Sequence, residues 1–176
     1  MCSCSSKKIR SDSASDEKLF PDGTYRHAVQ IHIRPGQENS RDFNFNGMVQ
    51  ISADWVKIVV LSPFGTTLSK ITENRSTGEI QIENQVSSLK RFESKMREYY
   101  ASLRILLLAP RAPSQADPLK VIHSFANHLP QDLEVFQGNE KIQFTIKKYD
   151  EHQVPEEVIL KHPKFHVEIE VSGYEV

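Results

Sequence analysis

The side chains able to do chemistry are scattered along this sequence rather than gathered. Seven histidines invite a search for metal ligands. His162 and His166 stand four apart, but Pro163 and the alternating pattern around them read as strand, so they are not one turn of a helix, and no third ligand is placed beside them. His123 and His128 are five apart and face different ways on the helix expected there. Cys2 and Cys4 cannot complete a four-ligand zinc site, and a disulfide between them would constrain almost nothing. Glu156 and Glu157 are neighbours on a strand and point to opposite faces; Asp12, Asp16 and Glu17 lie in a polar start. Glycine is scarce, at 7, and no Gly-x-Ser-x-Gly elbow, P-loop or Gly-x-Gly-x-x-Gly run occurs. Ser62 precedes Pro63 in a turn with no histidine placed to activate it. No catalytic residue, metal or cofactor is expected. The remaining reactive candidate is Cys2. A mature bacterial lipoprotein begins with a lipid-bearing cysteine and a small polar tether, which Cys2-Ser3-Cys4-Ser5-Ser6 fits. No apolar stretch precedes Cys2, so two readings stay open: a cytoplasmic chain, or one starting at the mature end of a processed, lipid-anchored protein.

Charge narrows the partners. The 176 residues carry 22 basic and 23 acidic side chains, a net charge of -1. A nucleic-acid binder draws most of its affinity from phosphate neutralisation and shows a basic excess, which is missing here. Lys90, Arg91, Lys95, Arg97 and Arg104 could meet anionic lipid heads, but Glu93 and Glu98 interrupt them and a solvated helix face is the plainer reading. No apolar run approaches the 18 or so residues that span a bilayer as a helix.

The elements follow from periodicity. Residues 1–20 hold little apolar surface and read as a flexible tether, leaving 21–176 as a single domain. From residue 25 the period is two: Val29, Ile31 and Ile33 share one face, Gln30, His32 and Arg34 the other. Pro35-Gly36 breaks the run. Phe43, Phe45, Val49 and Ile51 continue it, with Gly47 suggesting a bulge or bend. Further strands are expected at 55–61, 66–73, 79–83, 133–136, 142–146, 158–160 and 165–171, joined mostly by short turns such as Ser62-Pro63-Phe64-Gly65 and Gly138-Asn139, an antiparallel meander. Spacings of three and four predict one long helix over 87–108, with Ser87 or Ser88 as cap, and a short helix over 118–127 carrying Leu119, Ile122 and Phe125.

The expected class is therefore mostly β with a helical insert (α+β): a curved, incomplete antiparallel β-barrel closed by one long and one short helix. Curling deals with both the free edges and the greasy face. Its inward row is Val29, Ile31, Phe43, Phe45, Val49, Ile51, Ile80, Ile82, Phe144, Ile146, Val167 and Ile169. An apolar cavity so lined suits acyl chains, at about 0.8 kcal/mol per buried CH₂. The same row is what a solid core needs, and alternation alone does not separate hollow from filled. An enzyme on such a barrel would need a polar cluster inside, and this row offers none.

Residues 55–83 carry a resemblance. Trp55-Val-Lys-Ile-Val-Val-Leu-Ser-Pro-Phe-Gly-Thr-Thr-Leu-Ser-Lys-Ile71, running on to Gly78-Glu-Ile-Gln-Ile82, resembles the LolB family of outer-membrane lipoprotein receptors and LolB-like lipoproteins. The shared pattern is an apolar strand, a Pro-Leu/Phe-Gly turn, and two further strands. The resemblance implies a half-barrel with helices plugging its open side, anchored through Cys2 at the periplasmic face of the outer membrane. It also implies a non-catalytic activity: taking an acylated lipoprotein or lipid cargo from a soluble LolA-like periplasmic carrier and passing it to the membrane. In that family the apolar residue between Pro and Gly protrudes and aids delivery. Here that is Phe64, flanked by Pro63 and Gly65, where the family usually has Leu. The alternatives are a scaffold or assembly lipoprotein with a filled core, and an enzyme on a similar barrel acting on a hydrophobic substrate.

Overall fold

The computed structural model describes residues 18–33, 40–111, 121–137 and 139–175. The chain runs β1 (Gly23–Ile33), β2 (Arg41–Ile51), β3 (Trp55–Leu61), β4 (Thr67–Asn74) and β5 (Ile80–Asn84), then a 3-10 turn (Ser87–Phe92) into α1 (Glu93–Leu108). It resumes with β6 (Ile122–Ala126), β7 (Leu129–Gln137), β8 (Glu140–Tyr149), β9 (Pro155–His162) and β10 (Phe165–Glu175). The strands form one ten-stranded sheet in the order β5-β4-β3-β2-β1-β10-β9-β8-β7-β6. Two antiparallel meanders are thus welded where β1 pairs with β10, and the sheet stays open, with β5 and β6 as its edges.

Register sorts the side chains. Val29 lies opposite Phe45 and Ile169, Ile31 opposite Phe43 and Val167, Val49 opposite Ile58, and Ile146 opposite Val158. This inward face runs unbroken through both meanders. The other face carries Gln30, Asn44, Glu168 and their neighbours. The sheet curls around α1. Arg97 donates to the Ile80 carbonyl on β5 at 2.9 Å, while Tyr99, two residues on, meets Phe165 of β10 edge-on with ring centroids 4.5 Å apart. In a flat sheet β5 and β10 would be about 24 Å apart, five strand spacings. A helix with its side chains is only about 10–12 Å across, so contact with both requires curvature.

Burial along α1 is uneven. Tyr100, Ser102, Ile105, Leu106 and Leu107 are buried, whereas the 3-10 turn before it buries nothing. Beside the helix end, Lys18 bridges Pro110 and the Leu19 amide donates to the Ala109 carbonyl at 2.8 Å. This seats Leu19 and Phe20 in the core, both 0 % exposed.

Several sequence expectations need correction. The short helix over 118–127 is not there: 122–126 is β6, and 118–120, with Leu119, lie outside the described residues. The three-residue spacing misled because a short apolar run fits either period. What decides is the turn that follows: Asn127 and His128 take positive φ, 52° and 67°, which closes a two-residue hairpin onto β7. The barrel is accordingly covered by one helix among the described residues, and the sheet gains a strand. The tether stops short of 20, since Leu19 and Phe20 are core. Neither Ser87 nor Ser88 caps the helix; the 3-10 turn starts after Val86 with no side-chain cap. Gly47 makes no bulge, pairing regularly with His27 and Val60; the register shift of β1 falls at Arg26/His27. The Pro35-Gly36 break, Cys2, Cys4 and Gly138 lie outside the described residues.

Phe20 therefore acts as core and not tether. Phe20→Ala is expected to lower unfolding stability by about 3–5 kcal/mol, the range for emptying a buried aromatic site, read by urea denaturation.

Candidate functional site

The inward row expected from alternation does come together: Val29, Ile31, Phe43, Phe45, Val49, Ile51, Ile80, Ile82, Phe144, Ile146, Val167 and Ile169 all fall on one face by register. Its two ends differ. Toward the end bearing residues 52–54, 75–79 and 150–154, the face is filled by Leu19, Phe20, Tyr25 and Tyr100. Toward the opposite end the cover thins. Phe43 points inward yet is 45 % exposed, and Phe92 at the helix start is exposed too.

Antiparallel order puts the β3–β4 turn at that same open end. Its geometry is fixed by Ser62, whose hydroxyl accepts from the amides of Phe64 (3.3 Å) and Thr66 (3.1 Å) while its carbonyl accepts from Gly65 (2.9 Å). Gly65 takes φ +80°, a conformation side chains resist. Phe64 at the tip is 94 % exposed. Pro63, one residue back, is in the lining of a cavity on the outer face.

The inward face is not purely apolar, contrary to the reading of its row. Glu73, opposite Val56 and Ile80, is 1 % exposed. Burying a carboxylate is costly unless it is paired and hydrogen-bonded. Here the Tyr100 hydroxyl donates to Oε2, and Arg104 Nε donates to Oε1 and Oε2 at 2.7 and 2.8 Å. Arg104, half-buried, therefore turns its guanidinium onto this buried carboxylate. Burial first, then the bond to Glu73, pushes the Tyr100 phenol far above its ordinary range. This cluster fixes α1 to β4. His27 is a second buried polar group: it is 4 % exposed, packed beside Phe20 and Tyr25, and its Nε2 meets no partner. Burial pushes its pKa down to about 4, so the folded protein holds it neutral. Both residues share the inward parity of Ile71 and Val29.

Among the described residues no group of three or more His, Cys, Asp and Glu is placed to hold a metal ion. His162 stacks on inward Phe165, whereas His166 lies on the outer face against His32. A cavity of about 580 Å³ lies on the outer face, with Gln30, Asn44, Asn46, Glu157, Glu168 and Glu170 in its lining.

Two measurements probe the buried polar groups. Glu73→Ala leaves the buried Tyr100 hydroxyl without its acceptor, while water can still reach Arg104, and is expected to cost about 2 kcal/mol. His27 makes stability depend on pH. Unfolded, the imidazole binds a proton near its ordinary pKa of 6.5; folded, only near about 4. In that window the unfolded chain holds more protons, so stability falls as pH drops from 6.5 toward 4, by about 3 kcal/mol. His27→Phe should remove that part of the slope in urea midpoints measured against pH.

No protein-family model matches the sequence, and no curated protein matches it. Among solved structures, a LolA superfamily protein of Nitrosomonas europaea aligns with TM-score 0.53 and 9 % sequence identity, over 93 % of this chain and 90 % of that one. A domain from Vibrio parahaemolyticus described as outer-membrane lipoprotein-sorting aligns at TM-score 0.43 and 8 % identity, over 91 % and 86 % of the two chains. The first likeness, nearly full length on both sides, shows that this open, helix-covered sheet has the LolA/LolB type of fold.

Proposed function

We propose that the protein shelters acyl chains of a lipoprotein or lipid against its inward face and passes them to a membrane on which the Phe64 turn docks. The observation that carries this reading is the open end of the sheet, where inward-facing Phe43 stays 45 % exposed at the same end as Phe64. An apolar face left uncovered beside a projecting aromatic gives a chain a path between bilayer and interior. The gain is about 0.8 kcal/mol for each methylene transferred. The Ser62 bonds hold the turn's backbone with Phe64 exposed, so its insertion would carry little backbone ordering cost.

On this reading Cys2 is a lipid anchor, the site is the periplasmic side of the outer membrane, and a LolA-like carrier is the donor. One acyl chain holds a protein only marginally, so Phe64 and a multiply acylated Cys2 would act together. The activity is binding and transfer, with no bond made or broken.

A filled-core scaffold is the second reading, favoured by the way Leu19, Phe20, Tyr25 and Tyr100 occupy the far end of the face. A displaceable fluorescent fatty-acyl probe separates the two. The carrier reading expects saturable uptake, and Phe64→Glu to weaken binding to phosphatidylcholine vesicles about tenfold, the scale of one aromatic side chain's transfer, with probe uptake unchanged. No uptake by the wild type would sink the carrier reading; vesicle binding untouched by Phe64→Glu would sink the docking role.

A further inference from the structure

The outer groove is built on the sheet face opposite the apolar one, and its polar groups stand in ordered rows. Across the strands, Asn46 lies opposite Ala28, Ala28 opposite Glu170, and Glu170 opposite Glu157. In the next row Asn44 lies opposite Gln30, Gln30 opposite Glu168, and Glu168 opposite Ile159. Ala28 carries only a methyl group where its neighbours carry amides and carboxylates, which leaves room at the centre. Lys147 enters from β8 through a register shift: Ile146 pairs with Val158 and Lys148 with Glu157, so Lys147 is the extra, unpaired residue of a bulge. Bulges re-aim side chains in this way. Both Lys147 and Pro63 are in the groove's lining.

These groups are little engaged with one another. Lys148 contacts Glu156 at 2.6 Å and only neighbours Glu157 and Glu170. The nearest partner of Glu168 is His166 Nε2 at 3.5 Å. Among the described residues the side-chain amides of Gln30, Asn44 and Asn46 make no hydrogen bond, and Glu157 and Glu170 no ion pair.

We propose that this groove receives the phosphoethanolamine headgroup of a phospholipid. The three N–H donors of its ammonium suit Glu157, Glu168 and Glu170, and its phosphate oxygens accept from Lys147 and from the amides of Asn44, Asn46 and Gln30. Three carboxylates face Lys147, and Lys148 beside them is already engaged by Glu156, so the balance disfavours an anionic headgroup. Choline offers no N–H and would leave the carboxylates without hydrogen bonds. A lipid is favoured over a free amine by the position of the groove: its wall includes Pro63, and the next residue is the exposed Phe64. Whatever membrane Phe64 enters brings its headgroups to this rim. The inference rests on the docking reading above and adds a lipid preference to it.

Two experiments together test it. The first titrates soluble glycerophosphoethanolamine, glycerophosphocholine and ethanolamine into the protein while following the side-chain amide resonances of Gln30, Asn44 and Asn46. Glycerophosphoethanolamine is expected to shift them and the other two to act far more weakly. No shift at millimolar concentration, or an equal response to free ethanolamine, overturns the headgroup assignment. The second compares vesicles of phosphatidylcholine with and without phosphatidylethanolamine. Ethanolamine lipid is expected to tighten binding about fivefold, the scale of exposed charge pairs, and high salt to reduce that gain. The double variant Glu168→Gln, Glu170→Gln should lose the preference while still binding phosphatidylcholine through Phe64; a preference that survives in it overturns the proposal. A wild type that binds neither vesicle but still answers glycerophosphoethanolamine counts against docking and upholds the groove's ligand chemistry.

Discussion

The pairing of β1 with β10 holds together strands from opposite ends of the chain, as the Arg26–Glu175 contact across 149 positions shows. Each meander on its own closes through local hairpins. The joint between them does not, and every inward side chain of one meander finds its place relative to the other through this single ladder. Loop-closure entropy grows only slowly with length, so the long separation costs little more in stability than a shorter one would. It costs more in rate, since non-local pairing forms late. The ladder offsets this with packed partners on the inward side, Val29 with Ile169 and Ile31 with Val167, and with Tyr25 stacked on Tyr174 at a centroid distance of 4.8 Å.

Once the joint exists, an open ten-stranded sheet has one greasy face and too little sheet to cover it. A single helix covers part of it because the sheet curls. The helix is then held at one position by a charge rather than by grease alone. Apolar contacts tolerate sliding by a turn, whereas Glu73 accepts from both Tyr100 and Arg104 only when α1 lies in one register. A buried pair of this sort adds little net stability, and its use is to specify one arrangement. The opposite half of α1 is tied instead through Arg97 to the Ile80 carbonyl and through Glu98 to Lys164, and the inward face is left partly open at Phe43.

Much of this was legible in the sequence. The alternation from 25 onward, the short turns and the long three-four spacing before Pro110 give the strands, their facing and the main helix, because half-buried strands and amphipathic helices impose those periods. The Pro-Phe-Gly turn at 62–65 also showed itself. What stayed hidden was set by tertiary context. Residues 122–126 have too few side chains to fix a period, and only the left-handed pair Asn127 and His128 makes them a strand. Leu19 and Phe20 sit in a polar segment and become core only because Ala109 and Pro110 offer a backbone to pair with. Glu73 and His27 occupy inward positions by parity, but nothing local to them announces the partner, or the lack of one, that burial gives them. The outer groove depends on Ala28, Glu170 and Asn46 meeting across strands that are adjacent only after folding.

The molecule is polarised along its strands. Leu19 and Phe20 fill one end, Tyr25 stacks there and the buried half of α1 leans on it, leaving Phe125 of the edge strand β6 as its exposed aromatic. The other end carries the exposed Phe43, the bare start of the helical segment and the Phe64 turn. A solid structural module would gain by covering Phe43 and Phe64, since each exposed aromatic forgoes on the order of 2 kcal/mol of burial. Ser62 instead takes up the turn's free amides and Gly65 supplies its positive φ, so the turn is stiffened with Phe64 pointing out. Stiffness at an exposed apolar tip does nothing for the fold. It lowers the cost of inserting that side chain into something else, and the apolar face and the polar groove lie on the two sides of the same sheet end, which on the proposed function would take the chains and the heads of one lipid.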